Sequence, residues 1–81
     1  MPKFYFDVVQ NGDVVVDHVG QDIADAGTAH REAVKTTAEI AAEEIPKDGK
    51  LALSVAVADH THHVLFRTHL HFEPDDADPV S

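Results

Sequence analysis

From Lys3 to Gln10 large apolar residues alternate with others, placing Phe4, Phe6 and Val8 on one face and Lys3, Tyr5, Asp7 and Val9 on the opposite one. A period of two with one apolar face predicts a half-buried β-strand. Asn11-Gly12 follows, the pair best suited to the positive φ angles of a two-residue hairpin turn, and Asp13 to Asp17 supplies a returning strand rich in β-branched valine. Gly20, in Asp17-His18-Val19-Gly20, marks the point where the chain leaves the sheet.

From Asp25 to Ile45 the spacing changes to three and four. Ala26, Ala29, Ala33, Val34, Thr37, Ala38, Ile40, Ala41 and Ile45 form one wide stripe, which predicts an amphipathic helix. Asp25, or Asp22 for an earlier start, is placed to accept the free amides of the first turn, and Pro46 with Gly49 to stop the helix. Alternation resumes from Leu51 to Ala58, with Leu51, Leu53, Val55 and Val57 inward and Ala52, Ser54, Ala56 and Ala58 outward. Asp59 to His62 reads as a connection. Val64 to Phe72 is a fourth strand, with Val64, Phe66, Thr68, Leu70 and Phe72 toward the core and His63, Leu65, Arg67, His69 and His71 on the other face.

The expected order is β-β-α-β-β: an α+β, two-layer sandwich with a four-stranded sheet and one helix packed on one of its faces. A right-handed crossover that sets the last strand beside the first gives strand order 2-1-4-3, a β-grasp-like sheet with a parallel central pair. The alternative sets the third strand beside the first and makes the sheet wholly antiparallel. Residues 1–72 form one domain in this reading, and 73–81, with two prolines and four acids, a disordered acidic tail.

Composition narrows the function classes. In 81 residues there are fifteen acids, six bases, seven histidines and no cysteine, for a formal charge of -9. A chain this short holds one domain with a thin core. The lack of cysteine removes disulfides, thiolate metal sites and cysteine nucleophiles, and fits a cytoplasmic address. No secretion signal and no apolar run of about 18 residues is present, so a membrane is not an expected partner. The six bases are scattered at 3, 31, 35, 47, 50 and 67, a poor match to a phosphate backbone, so nucleic acid is not expected either.

The opening Met1-Pro2-Lys3-Phe4-Tyr5-Phe6, the Asn11-Gly12 turn, Asp17-x-x-Gly20 and Glu32-Ala33 in an Ala-rich helix resemble a family of short bacterial proteins known as a domain of unknown function. The resemblance covers roughly Met1 to Phe72. It implies a small, soluble, mostly stand-alone domain and carries over no catalytic or binding residue. The chain departs from the family pattern at His18-Val19, where an acidic residue before the glycine is more typical, and in its histidines between His60 and His71.

Five of the seven histidines fall at 60, 62, 63, 69 and 71. Strand periodicity puts His63, His69 and His71 on one face with Arg67, and two imidazoles at i and i+2, about 6.5 to 7 Å apart along a strand, can share a metal ion. His60, His62, Glu73 or Asp75 could add a ligand, and zinc, nickel or copper would suit such a set. The plainer reading is a solvated strand face with no cofactor, and Arg67 disfavours a bound cation there. No Gly-x-Ser-x-Gly turn or phosphate-cradling glycine loop is present, so an enzyme is not expected. The preferred expectation is a non-enzymatic protein-interaction module that self-associates through an edge strand or the outer sheet face, where Tyr5, Ala52, Ser54, Ala56, Leu65 and Arg67 make a flat patch.

Overall fold

The computed structural model describes residues 2–75. Its elements are β1 (Lys3–Gln10), β2 (Asp13–Val15), β3 (Gln21–Asp22), α1 (Ala26–Asp48), β4 (Leu51–Ala58) and β5 (Val64–Phe72). The α+β class expected from the pattern is observed, but the sheet has five strands and is antiparallel throughout. Its path is β2-β1-β4-β5, with β3 also paired to β1. The β-grasp-like order is therefore corrected: the strand beside β1 is β4, not the last strand. The reason lies in burial. Leu51, Leu53, Val55 and Val57 of β4 are all buried and take the centre, while β5, with Arg67, Thr68 and two histidines, takes an edge. The 23-residue helix, about 34 Å long, returns the chain to the end where β2 began, so β4 enters antiparallel to β1.

Three of the expected strand boundaries coincide with those observed, because alternation is a local property that burial enforces on one face. The hairpin at Asn11-Gly12 places both residues at positive φ (49° and 88°), as its turn chemistry requires. The returning strand is shorter than expected and stops at Val15.

Helix α1 begins where Asp25 accepts the Thr28 amide at 2.7 Å. It does not end at Pro46. Proline's own φ is helical and its missing N–H costs one bond, so the helix continues to Asp48 and ends at Gly49, whose φ of 77° closes the last turn through its amide to Ile45 O at 2.9 Å.

The buried stripe of α1 is Ala29, Ala33, Thr37 and Ala41, small residues four apart that let the helix lie close to the sheet. Phe4, Phe6, Ile23, Val55 and Val57 pack against its first half, and Leu51 and Leu53 against Ala41. Burying each of these larger side chains contributes about 1.5 to 3 kcal/mol. Thr37 is the buried polar member: its hydroxyl donates to Ala33 O at 2.8 Å and meets the Thr68 hydroxyl at 2.6 Å. Val34, expected in the stripe, lies instead on its flank at 51% exposure. The tail expected over 73–81 enters the description only at Glu73 to Asp75, which are exposed and outside any element, and its remainder lies outside the described residues.

Candidate functional site

The helix covers one face of the sheet, so the opposite face is the candidate working surface. The strand register arranges it in rows running across β1, β4 and β5: Val9–Ser54–His69, Asp7–Ala56–Arg67 and Tyr5–Ala58–Val64. Ala52 adjoins His71 in the next row, where the Asn11 amide donates to Ala52 O at 2.8 Å. Tyr5, Ala52, Ser54, Ala56 and Arg67 thus share one face, as expected, together with His69 and His71.

Leu65 and His63 do not join them in register. Phe66 pairs with Val57 and Val64 with Ala58, so Leu65 is an extra, unpaired residue in a β-bulge. A bulge resets the period of two. Val64, expected on the core face, therefore occupies the outer row, and His63 opposes Asp59, whose amide donates to His63 O at 2.9 Å. The set His63, His69, His71 is not brought together, and among the described residues no three His, Asp or Glu side chains are grouped to hold a metal ion. His71 Nε2 lies 3.6 Å from Glu73 Oε2, an exposed pair. No hydrogen bond joins Ser54 to its cross-strand neighbour His69 among the described residues.

Between the walls formed by Val9 and Gly12 on one side and His69 and His71 on the other, the small residues Ala52 and Ser54 leave an open trough of about 260 Å³. One end of the face is closed. His62, at φ 64°, sets its ring 4.6 Å from that of Tyr5, tilted by 31°, and Ala58 beside them is only 5% exposed although it points away from the helix.

Two aspartates hold the loops that border this face. The Asp59 carboxylate accepts from the Thr61 hydroxyl at 2.6 Å, the Thr61 amide at 2.9 Å and the His63 amide at 3.0 Å, and His62 takes the left-handed position of the turn. The Thr61 hydroxyl and the His63 amide hold its carboxyl below the ordinary value.

Asp17 does more. The backbone N–H and C=O groups of even-numbered β1 residues point away from β4; Val8 pairs with Val15 of β2, Phe4 with Gln21 of β3, and the Phe6 amide between them donates to Asp17 Oδ2 at 3.1 Å. A side chain thus takes the place of a missing strand residue. Asp17 Oδ1 also accepts from the Val19 and Gly20 amides at 3.0 and 2.9 Å, and its own amide donates to Asp7 Oδ1 at 2.9 Å. Burial opposes ionisation of Asp17, but the amides of Gly20, Phe6 and Val19 and the nearby His18 outweigh it and hold the carboxyl below its ordinary value. Gly20 is required twice over, by its φ of 77° and because a Cβ there would lie 2.7 Å from Lys3 Cγ. Sequence reasoning marked Asp17-x-x-Gly20 as a turn without seeing that it caps β1. The available signal was an aspartate two and three residues before free amides, the spacing of an Asx turn.

A family model described as "Domain of unknown function (DUF6894)" matches residues 3–71. No curated protein and no solved structure matches the chain. Among the described residues, no helix is long and apolar enough to cross a membrane.

Proposed function

The chain belongs to that family of domains of unknown function, and we propose that it is a non-enzymatic protein-interaction module that works through its uncovered sheet face and edge strands, self-association included. The observation that carries this reading is the outer face itself. Its floor of Ala52, Ser54 and Ala56 is flat and small, and it is bordered by Tyr5, Arg67 and two imidazoles, groups able to pack on and hydrogen-bond a protein surface. Small residues let another backbone approach closely, and an open trough of about 260 Å³ excludes too little water for most chemistry. A domain with so thin a core also gains stability by covering such a face. We place the module in the cytoplasm, in keeping with its lack of cysteine.

The test is capture of protein partners from a cell extract, alongside light scattering after size-exclusion chromatography, comparing the natural chain with Ala52→Glu and Ala56→Glu. Both variants keep the helix-facing core. The reading expects specific capture, or self-association through the face, that the variants lose while their circular dichroism is unchanged; association through an edge strand survives both substitutions. A strict monomer at high micromolar concentration that recovers no partner sinks it.

A further inference from the structure

Large apolar side chains left open to solvent fall into two groups, one at each edge of the sheet: the valines of and just after β2, and Val34, Val64, Leu65 and Phe72 beside β5. The two edges are not equivalent. At the first, β2 has three residues and β3 two, and the gap between them is filled by the Asp17 carboxylate, so little backbone is free to pair. At the second, β5 runs for nine residues and, among the described residues, has no strand on its outer side. Beyond the Leu65 bulge, Phe66 to Phe72 is a regular stretch. The Asn11–Ala52 bond makes the even-numbered residues of β4 the partners of β1, which leaves Leu53, Val55 and Val57 to bond Leu70, Thr68 and Phe66. By the same alternation, the N–H and C=O groups of Arg67, His69 and His71 point outward from the sheet, without a partner among the described residues.

We infer that β5 pairs antiparallel with β5 of a second copy, centred on His69, and joins the two sheets into one. This inference rests on the interaction-module reading and names its partner. In that register Arg67 opposes His71 of the second copy and His69 opposes itself, and these three residues exchange both backbone bonds with their partners. On the helix face Phe66 meets Phe72 of the second copy and Thr68 meets Leu70, in the closely spaced pairs that favour aromatic contact. The 40% exposure of Phe72 is thereby covered.

Charge agrees with the register. Glu73 lies 3.6 Å from His71 on its own chain, so Arg67 of the other copy arrives beside a carboxylate. The second layer agrees as well. A two-fold axis perpendicular to the sheet puts both α1 helices on the same face, about 10 to 14 Å apart from strand spacing alone, with the flank that carries Val34 and His30 turned toward the seam. His30 already stacks on Phe66 at 4.4 Å, which fixes that flank on the β5 side. A seven-residue edge is about 24 Å long and two layers deep, so the dimer buries on the order of 1,000 Å². That is the low end for a specific interface, so association is sought over a wide range of concentrations.

Sedimentation equilibrium of the full chain from about 1 to 500 µM is expected to show the mass rising from 8.8 kDa toward twice that value. His69→Pro removes an N–H that faces away from β4, and Phe72→Glu charges a solvent-exposed side chain. Each is expected to weaken association at least about tenfold, whereas Val15→Lys at the opposite edge leaves it unchanged. In this cysteine-free chain, His69→Cys under mild oxidant is expected to form a covalent dimer, since directly opposed residues of such a pair sit about 5.5 Å apart at Cα; Val15→Cys is not. A monomer at the top concentration overturns the inference. So does a dimer that Val15→Lys breaks while His69→Pro and Phe72→Glu leave it intact, or cross-linking at Val15→Cys but not at His69→Cys. Dimerisation through another surface, or capture of a different protein by a monomer, overturns the β5 pairing and leaves the interaction-module reading standing.

Discussion

Asp17→Ala would remove three hydrogen bonds at once. Those from the Val19 and Gly20 amides lie in a loop, the first exposed and the second part-buried, where water can replace the carboxylate at least in part. The Phe6 amide is different: it belongs to a buried residue and sits between two paired stretches of β1, so its loss leaves a donor poorly served by solvent. A hydrogen bond to a charged group contributes about 1.5 to 3 kcal/mol, and the two loop bonds, at least partly open to water, fall below that range, for a total cost of about 2 to 4 kcal/mol. A domain of this length has only about 4 to 12 kcal/mol of stability in all. Urea unfolding followed by circular dichroism measures the loss directly, and the thermal midpoint should fall by about 10 to 25 °C. Asp17→Asn keeps one acceptor and presents an NH2 to a donor, so it should lie between the natural chain and Asp17→Ala. The pH dependence carries a sign. Because the folded-state pKa of Asp17 is lowered, its contribution is complete above the unfolded value near 3.8 and disappears as pH falls through the folded value, so the gap between natural chain and Asp17→Asn should close below about pH 4. An Asp17→Ala variant within about 0.5 kcal/mol of the natural chain, or a gap that widens in acid, would refute the assignment.

Other outcomes follow from the same geometry. Gly20→Ala meets both left-handed φ and the Lys3 side chain, and should cost about 2 kcal/mol or more, against about 1 kcal/mol for Gly12→Ala and Gly49→Ala, which have open space; matched urea curves for the three would check the order. Thr68→Val removes the hydroxyl that serves Thr37 and should cost about 1 kcal/mol, while a double cycle with Thr37→Val should show a coupling of about 0.5 to 1 kcal/mol, and a coupling of zero would mean the two hydroxyls do not interact. Asp59→Asn should weaken the β4–β5 turn, read as faster amide exchange at Thr61 and His63, and unchanged exchange there would count against the carboxylate as its anchor.

Particular residues show how far the site could be read in advance. Arg67, His69 and His71 share a face, because a period of two operates within the regular stretch of β5 that follows the bulge. His63 and Leu65 were misplaced by one feature, a bulge at Leu65 that no composition signal announces. The Tyr5–His62 ring contact is not legible in the sequence for another reason: it needs the hairpin to fold His62 back over a strand more than fifty residues earlier in the chain. The role of Asp17 was half visible. Its spacing to Gly20 marked a turn, but its reach to Phe6 depends on how β2 and β3 follow one another along β1.

What the sequence determines by itself is therefore local. Alternation sets β1, β4 and β5 to the residue, Asp25 and Gly49 bound the helix, and Asn11-Gly12 turns the first hairpin, since each depends on backbone and side-chain preferences within a few positions. The antiparallel order, the bulge, the short β3 strand and the Asp17 cap were decided only by the tertiary structure. Two hairpins and a helix can be joined in more than one way at similar local cost. The choice falls to which strand most needs burial on the face beneath α1, and β4, with four large apolar residues in alternation, takes the centre and leaves β5 exposed at the edge.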